Sequence, residues 1–202
     1  TGNATITGNK ATGDGSKGGG IYAAQKSLTL GGNAQITNNE ASSNGGGIFV
    51  SENATKFNIS GNVQVTDNGG SNVYLKCDTA DQRIPSISVT GALGNASIGV
   101  TVDSKLDLSD KLPLTIATVS DSASNWIKDT SFTSDNTLYK VTASTDGTAA
   151  LLNVHDDHTW QVRRQQGTDN VLEEYCDCGT TGGTLTVTMD TPVSYDGTAH
   201  TP

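Results

Sequence analysis

The cluster best suited to chemistry in this sequence is His155, Asp156, Asp157 and His158, in which two imidazoles flank two carboxylates. Such groups can ligate a metal ion or transfer protons. In an extended segment, however, successive side chains point to opposite sides, which separates the members of the cluster. The favoured interpretation is therefore a solvated joint between two modules.

Three aspartates, Asp103, Asp107 and Asp110, offer carboxylate oxygens, which are the ligands that calcium prefers. The segment lacks the glycine and the terminal glutamate of an EF-hand loop, and this favours solvated turns over a calcium site. Calcium at these positions is the one metal hypothesis that the sequence leaves open. No catalytic residue, bound cofactor or other metal site is expected.

The three cysteines are Cys77, which stands alone, and Cys176 and Cys178, which form a C-x-C pair. A zinc site usually needs a second such pair, and the sequence has none. In an oxidising compartment exposed thiols form disulfides, whereas a buried single cysteine behaves as a small apolar group. We expect Cys176 and Cys178 to be oxidised, with each other or with an outside partner, and Cys77 to be reduced and packed in the core.

The composition indicates a β-protein that binds neither nucleic acid nor membranes. Only 33% of the 202 residues are hydrophobic and 16% charged, while 24 are glycine. Glycine, asparagine, serine and threonine favour turns and strands, and no segment has apolar residues at helical spacing. The net charge of −9, with no basic cluster beyond Arg163 and Arg164, argues against phosphate or anionic membrane partners. No run of eighteen apolar residues suggests membrane insertion.

A repeat of about 30 residues organises the first half of the chain. A motif of the form G-N-x-x-(I/V) begins at Gly2, Gly32 and Gly61, with a degenerate copy at Gly94, at intervals of 30, 29 and 33 residues. A G-G-G-I motif occupies matching positions of the first two periods, and a short apolar run recurs at 28–30, 57–59 and 87–89. Each period thus contains three strand-like segments separated by turn-forming residues. Because the chain begins within a repeat, we expect it to be a piece of a larger protein.

Three strands per period without a helix predict a right-handed, single-stranded parallel β-helix, a three-sheet solenoid in which each repeat forms one coil. Side chains two apart in a strand share a face, so three inward ladders are expected. They are formed by Ile6, Ile36, Val65 and Ile98; by Leu28, Leu30, Phe57, Ile59, Ile87 and Val89; and by Ile21 and Ile48. The outward positions are Thr5, Gln35, Gln64 and Ser97. Stacked asparagines at the corners are expected at 3, 33, 62 and 95, and at 9, 39 and 68.

The domain organisation follows the decay of this repeat. Residues 1–102 are predicted to form the β-helix repeats. Residues 103–154 are predicted to form an irregular final coil and cap, because an uncovered solenoid end would recruit other strands. A hairpin is expected there around the turn at Asp146 and Gly147. Residues 155–202 read as a linker and a small β-rich C-terminal region.

Several of these segments resemble known surface proteins. Residues 6–9 ahead of the G-G-G-I motif at 18–21, and residues 36–41 ahead of the copy at 45–48, resemble the paired F-x-x-N and G-G-A-I repeats of chlamydial polymorphic outer-membrane proteins. Closely similar repeats occur in large surface proteins of Gram-positive gut bacteria. The resemblance covers residues 1 to about 75, with Ile or Val in place of Phe and Gly in place of Ala.

Two later parts of the chain resemble the same Gram-positive proteins. Residues 132–136 with Tyr139 resemble the segment that ends their β-helices. The segment 158–160, the cysteine pair, and the segments 184–189 and 195–198 resemble the start of the short Ig-like β modules that follow. The resemblance therefore implies a truncated Ig-like module within residues 155–202.

The resemblance implies a secreted or cell-wall-associated bacterial module, an adhesin or a structural stalk with an extended binding face. Its partner would be a host or microbial glycan or a protein surface. Pectin lyases and polygalacturonases also use parallel β-helices, so a carbohydrate-active β-helix, either a polysaccharide lyase or a glycoside hydrolase, is the alternative. Between residues 18 and 75 there is no arginine and no adjacent aspartate pair. This favours a protein that is not an enzyme.

Overall fold

The computed structural model describes residues 2–24, 27–54, 56–121, 124–155, 160–168, 170–176 and 181–187. The chain divides into two compact units, Thr1–His155 and Asp156–Pro202. All the regular secondary structure of the described residues is β-strand, which confirms the predicted all-β class. The described residues contain no helix with the length and apolar character to cross a membrane.

The first unit contains sixteen strands within the described residues. They are β1 (Thr5–Thr7), β2 (Lys10–Ala11), β3 (Ile21–Ala23), β4 (Ser27–Leu30), β5 (Gln35–Thr37), β6 (Glu40–Ala41), β7 (Ile48–Val50), β8 (Lys56–Ile59), β9 (Gln64–Thr66), β10 (Val73–Leu75), β11 (Ile87–Val89), β12 (Ser97–Val102), β13 (Leu114–Val119), β14 (Phe132–Ser134), β15 (Tyr139–Ala143) and β16 (Ala149–Val154).

These strands stack in parallel as a β-helix with three faces, as predicted. The first face consists of β1, β5, β9, the start of β12, and β14. The second face consists of β3, β7, β10 and the end of β12. The third face consists of β4, β8, β11 and β13. Strand β12 alone runs from one face to the next without a turn, since Ile98 pairs with Val65 while Val100 pairs with Val73.

The inward ladders have the predicted register. Ile6, Ile36, Val65 and Ile98 are successive partners on the first face, and Phe132 continues the ladder into the cap. The other two predicted ladders are also confirmed, and Val73 extends the one that begins at Ile21. Ile36, Ile48 and Phe57 are almost fully buried. One contiguous apolar core therefore runs through all the coils.

An asparagine ladder lies inside the corner between the first and second faces. The side-chain amide of Asn9 donates to Oδ1 of Asn39 (2.9 Å), and that of Asn39 donates to Oδ1 of Asn68 (3.0 Å). Each of these oxygens also accepts the backbone N–H of the preceding member at 3.0 Å. Asn39 is completely buried. The predicted stacking is confirmed, and the ladder satisfies backbone groups that the strands leave unpaired.

Backbone conformation and close packing at this corner explain why three glycines precede Ile48. Gly45 has a φ of +68°, a conformation that favours glycine. A Cβ on Gly46 would collide with the backbone of Gly69, and a Cβ on Gly47 would lie 2.8 Å from Nδ2 of Asn68. The motif is therefore shaped by close approach of the neighbouring coil and the asparagine side chain.

The end of the solenoid is covered by an antiparallel hairpin. Strand β16 pairs antiparallel with β15, which is the hairpin that the sequence predicts, and also pairs antiparallel with β13. In its turn, Gly147 has a φ of +68°. Hydrogen bonds from the Ser144 hydroxyl and from Thr148 lower the pKa of Asp146 to about 2. The hairpin therefore covers the edge of β13, the last parallel strand of the third face, which could otherwise pair with a strand of another chain.

The second unit contains a three-stranded antiparallel sheet made of β17 (Gln161–Arg164), β18 (Val171–Tyr175) and β19 (Thr181–Thr186). Nε of Arg163 donates to Oε1 of Glu173 at 2.8 Å, and the guanidinium lies 4.4 Å from the ring centroid of Tyr175. Much of the segment that resembles an Ig-like module, including residues 195–198, lies outside the described residues. The Ig-like assignment stays a prediction.

Candidate binding surface

The outward side of the first face presents two columns of uncharged polar side chains, which we call the polar face. One column consists of Thr5, Gln35, Gln64 and Ser97, and the other of Thr7, Thr37 and Thr66. They point outward because the intervening Ile and Val residues point inward. Successive members of a column are spaced about 4.8 Å apart along the solenoid, the separation of neighbouring strands.

Side-chain hydrogen bonds between coils hold this surface in place. The Thr37 hydroxyl donates to that of Thr7 at 3.5 Å. At its border, Asn62 donates to Asn33 and Asn33 donates to Asn3, both at 2.9 Å, which confirms the second predicted asparagine ladder for these three residues. Asn95 joins it through its backbone N–H, which donates to Oδ1 of Asn62 at 2.9 Å.

Within the face itself, the Gln64 amide donates to the carbonyl oxygen of Asn95 and the Thr66 hydroxyl donates to Asp67. The polar face is thus a preorganised surface, and its remaining donors and acceptors can bind an extended ligand by hydrogen bonds.

The outward side of the second face is aromatic, a feature that the sequence reasoning missed. Tyr22, Phe49 and Tyr74 stack with ring centroids 5.2 and 5.5 Å apart. Lys17 Nζ lies 5.2 Å from the Phe49 centroid. Phe49 and Tyr74 are buried, whereas Tyr22 is 55% exposed. The signal was present in the sequence, because each aromatic residue follows the Ile or Val of its repeat. The stack covers the outward side of the second face. The open polar surfaces of the solenoid are therefore the polar face and the outward side of the third face, which carries Thr29, Asn58, Ser88 and Thr118.

Asp103, the first calcium candidate, belongs to a buried ion pair. Lys76 Nζ lies 3.0 Å from Asp103 Oδ2, and the backbone N–H groups of Cys77 and Lys105 donate to the carboxylate at 3.2 and 3.0 Å. Burial raises the pKa of Asp103, but hydrogen bonds from the Lys105 amide, from Lys76 and from Tyr74 outweigh it and hold the pKa below its usual value. Burial, followed by the bond to Asp103, raises the pKa of Tyr74.

The structure does not bring the three calcium candidates together. Asp103 is committed to Lys76, and Asp107 accepts the backbone N–H and the hydroxyl of Ser109 at 3.0 and 2.7 Å. Asp110 is exposed. Within the described ranges, no three His, Cys, Asp or Glu side chains are grouped so as to hold a metal ion. Calcium binding at these aspartates stays a hypothesis.

The cysteines and the histidine cluster are described in part. Cys77 is a buried free thiol, as predicted, and burial raises its pKa. Cys176 is also buried. The expectation that it is oxidised assumed an exposed thiol, and the structure differs on that point. Cys178 and residues 156–158 lie outside the described residues, so the disulfide and the histidine cluster stay predictions. Nδ1 of His155 lies 3.1 Å from the carbonyl oxygen of Thr137.

A second feature missed from the sequence is a groove at the corner between the second and third faces. It is lined by Glu52, Ala54, Lys56 and Phe57 and by residues 83–86, and it brings Arg83 to the same site as Glu52 and Lys56. The repeat did not reveal it, because Arg83 belongs to a non-repetitive loop. Only folding of that loop against the preceding coil places an arginine beside the repeats.

Comparison of the chain with models of protein families, with curated protein sequences and with solved structures finds no match in any of the three. Functional assignment therefore depends on the chemistry of these surfaces.

Proposed function

We propose that this chain is a non-catalytic module of a bacterial cell surface, in which the β-helix is a rigid arm and the polar face binds an extended glycan or protein segment. The proposal assigns the chain to a secreted or cell-wall-associated protein acting as an adhesin or a stalk. Two features support it: the repeat pattern of the sequence, and the uncharged polar side chains of the polar face. The antiparallel sheet of the second unit would then be part of an Ig-like stalk module.

The observation that carries the proposal is the in-register column Thr5, Gln35, Gln64 and Ser97, which crosses four successive strands of the first face. Hydroxyl and amide groups both donate and accept hydrogen bonds. Because the column repeats these groups at a constant distance, it can form hydrogen bonds with a ligand that is extended and carries donors and acceptors along its length. Each contact is weak, so useful affinity would come from many copies on one cell.

The continuity of the core supports the role of a rigid arm. Apolar ladders run from the first coil into the cap without interruption, and an asparagine ladder accompanies them. In a solenoid each coil contacts only its neighbours, so bending requires breaking these ladders locally. A chain built in this way holds a binding surface at a fixed distance from its attachment.

The polar face is unsuited to acid–base catalysis. Neither of its columns contains an Asp, Glu, Lys, Arg, His or Cys residue. Catalysis of glycan cleavage requires titratable groups with matched pKa values held near one another. A lyase or hydrolase would therefore have to use another part of the molecule.

Binding to an array of host and bacterial glycans and to immobilised extracellular proteins tests the proposal. We expect the wild type, displayed in many copies on beads, to retain at least one ligand, and the double variant Gln35→Ala/Gln64→Ala to lose it. The matched control is Asn58→Ala on the third face, where Asn58 donates to Thr29. Binding that survives the double variant, or absence of any ligand on both arrays, would contradict the assignment of the polar face.

A further inference from the structure

The groove at the corner between the second and third faces has the dimensions of a small-ligand site. Its volume is about 320 Å³, within the range of pockets that enclose small molecules. Its apolar surface includes Ala54, Ile84 and Pro85, and its polar groups include Glu52, Lys56 and Arg83. An apolar surface with a few convergent polar groups is the usual composition of such a site.

Arg83 is positioned by the loop that carries it. Its backbone pairs with that of Asp78 through two hydrogen bonds, at 2.8 and 3.3 Å. Its Nε and Nη2 lie 3.2 and 3.4 Å from carboxylate oxygens of Asp81 and Asp78. A guanidinium carries five N–H groups, and Nη1 has no partner among the described residues. The arginine is thus held in place while part of its donor capacity is open to a ligand.

The other two charged groups come from elements of the preceding coil. Lys56 is the first residue of β8 and is exposed, and its ammonium has no partner within the described part of the chain. The Glu52 carboxylate accepts a hydrogen bond from the Ser51 hydroxyl at 3.0 Å, which leaves its other oxygen available. One residue with an acceptor group and two residues with donor groups therefore line the groove.

The charge balance decides which ligand fits. The groove and the loop that holds Arg83 contain two cations, Lys56 and Arg83, and three carboxylates, Glu52, Asp78 and Asp81. An anionic ligand would meet a net negative surrounding, in a chain whose net charge is −9. Neutral hydroxyl groups both donate and accept, so they match the mixed set without a charge penalty. The apolar residues offer a surface for the C–H face of a ring.

We propose that this groove binds one neutral sugar residue, whose hydroxyl groups donate to Glu52 and accept from Lys56 and Arg83. The site is separate from the polar face and does not depend on it. It would add a concave site to a protein whose proposed binding face is extended, and the two sites can be tested independently.

Titration of the ¹⁵N-labelled chain with D-galactose, D-mannose and N-acetyl-D-glucosamine tests the proposal, with D-galacturonate as the charged comparison. At least one neutral sugar should shift the amide resonances of residues 52–54, 84 and 86 with saturation, at a dissociation constant on the order of 1 mM, as a ligand of this size allows. Lys56→Gln and Glu52→Gln should each weaken binding about tenfold, the effect of losing one charge-assisted hydrogen bond. Lys10→Gln, at an exposed position of β2, should bind like the wild type.

Three results would overturn the proposal. The first is the absence of saturable shifts at the groove with every neutral sugar. The second is a response to galacturonate alone. The third is binding that neither Lys56→Gln nor Glu52→Gln weakens. Shifts confined to residues 35–37 and 64–66 would place sugar on the polar face, which rejects the groove and leaves the proposed function standing.

Discussion

The side-chain amide of Asn72 donates to Oδ1 of Asp135 across 2.7 Å, and this bond ends the asparagine ladder that begins at Asn9. The other oxygen, Oδ2, accepts the backbone N–H of Asn72 at 2.8 Å and the Thr101 hydroxyl at 3.2 Å. A carboxylate has no hydrogen to donate, so it ends a chain of donors without leaving one unpaired. Asp135 is therefore the terminal member of the ladder.

Replacing Asp135 by alanine should destabilise the first unit by about 1–3 kcal/mol, because Asn72 would lose the acceptor for two of its donors. Asp135→Asn should have an intermediate effect, since it keeps one acceptor oxygen and adds two donors to a site already rich in them. Urea unfolding gives both values. Asp110→Ala, at an exposed position, is the control. If it lowers the free energy of unfolding as much as Asp135→Ala does, Asp135 has no special role at the end of the ladder.

The inward ladder of the first face should dominate stability. Ile36→Asp would place an unpaired carboxylate between Ile6 and Val65 and should cost several kcal/mol. Gln35→Asp, on the exposed side of the same strand, should cost under about 1 kcal/mol. Thermal unfolding of the two variants distinguishes these values. Equal shifts in melting temperature would mean that the inward and outward positions are not as the structure has them.

The third glycine of the G-G-G-I motif should not tolerate a methyl group. In Gly47→Ala, the new Cβ would meet the carbonyl oxygen of Asn72 and would lie 2.8 Å from Nδ2 of Asn68, so we expect a loss of about 1–3 kcal/mol. Gly69→Ala is the matched comparison, since its Cβ would meet the flexible Glu40 side chain at 3.2 Å. Measured by chemical denaturation, Gly69→Ala should lose less stability. The reverse order would refute the packing argument.

The buried pair of Lys76 and Asp103 should make stability depend on pH. The folded-state pKa of Asp103 is held below the ordinary value of 3.8, so its stabilising contribution is present above that value. It is lost as the pH falls through the lower folded-state pKa. The melting temperature of Asp103→Asn should therefore lie well below that of the wild type at pH 7, and the difference should shrink as the pH falls below 3.8. A constant difference across this range would contradict the linkage.

Incubation with pectate and calcium should yield no product. The polar face lacks titratable groups, and the acidic chain repels a polyanion. The measurement is the appearance of unsaturated or newly reducing ends relative to a boiled sample. Product that disappears in Asp103→Asn or Asp107→Asn would replace the non-catalytic proposal with a carbohydrate-active enzyme. Lys111→Gln serves as the control substitution in the same segment.

The sequence predicted the β-helix because Ile36 and Val65 occupy the same position of the repeat and the glycines another. Stacked coils place equivalent positions above one another, so the repeat can be read directly as a solenoid. It did not predict that Asn72, four residues after Asn68, joins the asparagine ladder, because the third coil departs from the repeat there. It also did not predict the groove, since the position of Arg83 depends on pairing with Asp78 and on Gln82, which has a φ of +50°. These features depend on contacts that occur once and leave no periodic signal.

The passage of β12 around a corner without a turn has a consequence for how such a chain can change. The same corner is spanned by residues 8–20 in the first coil, 38–47 in the second and 67–72 in the third, while the fourth coil needs no connecting segment. The register of the flanking strands is the same in every case. The number of residues at this corner can thus vary without changing how the strands of successive coils pair. Insertions can accumulate in evolution, or a foreign peptide can be grafted, at exposed positions of these connections such as Ser43, because the buried Asn39 and the glycine motif of the same corner must be kept.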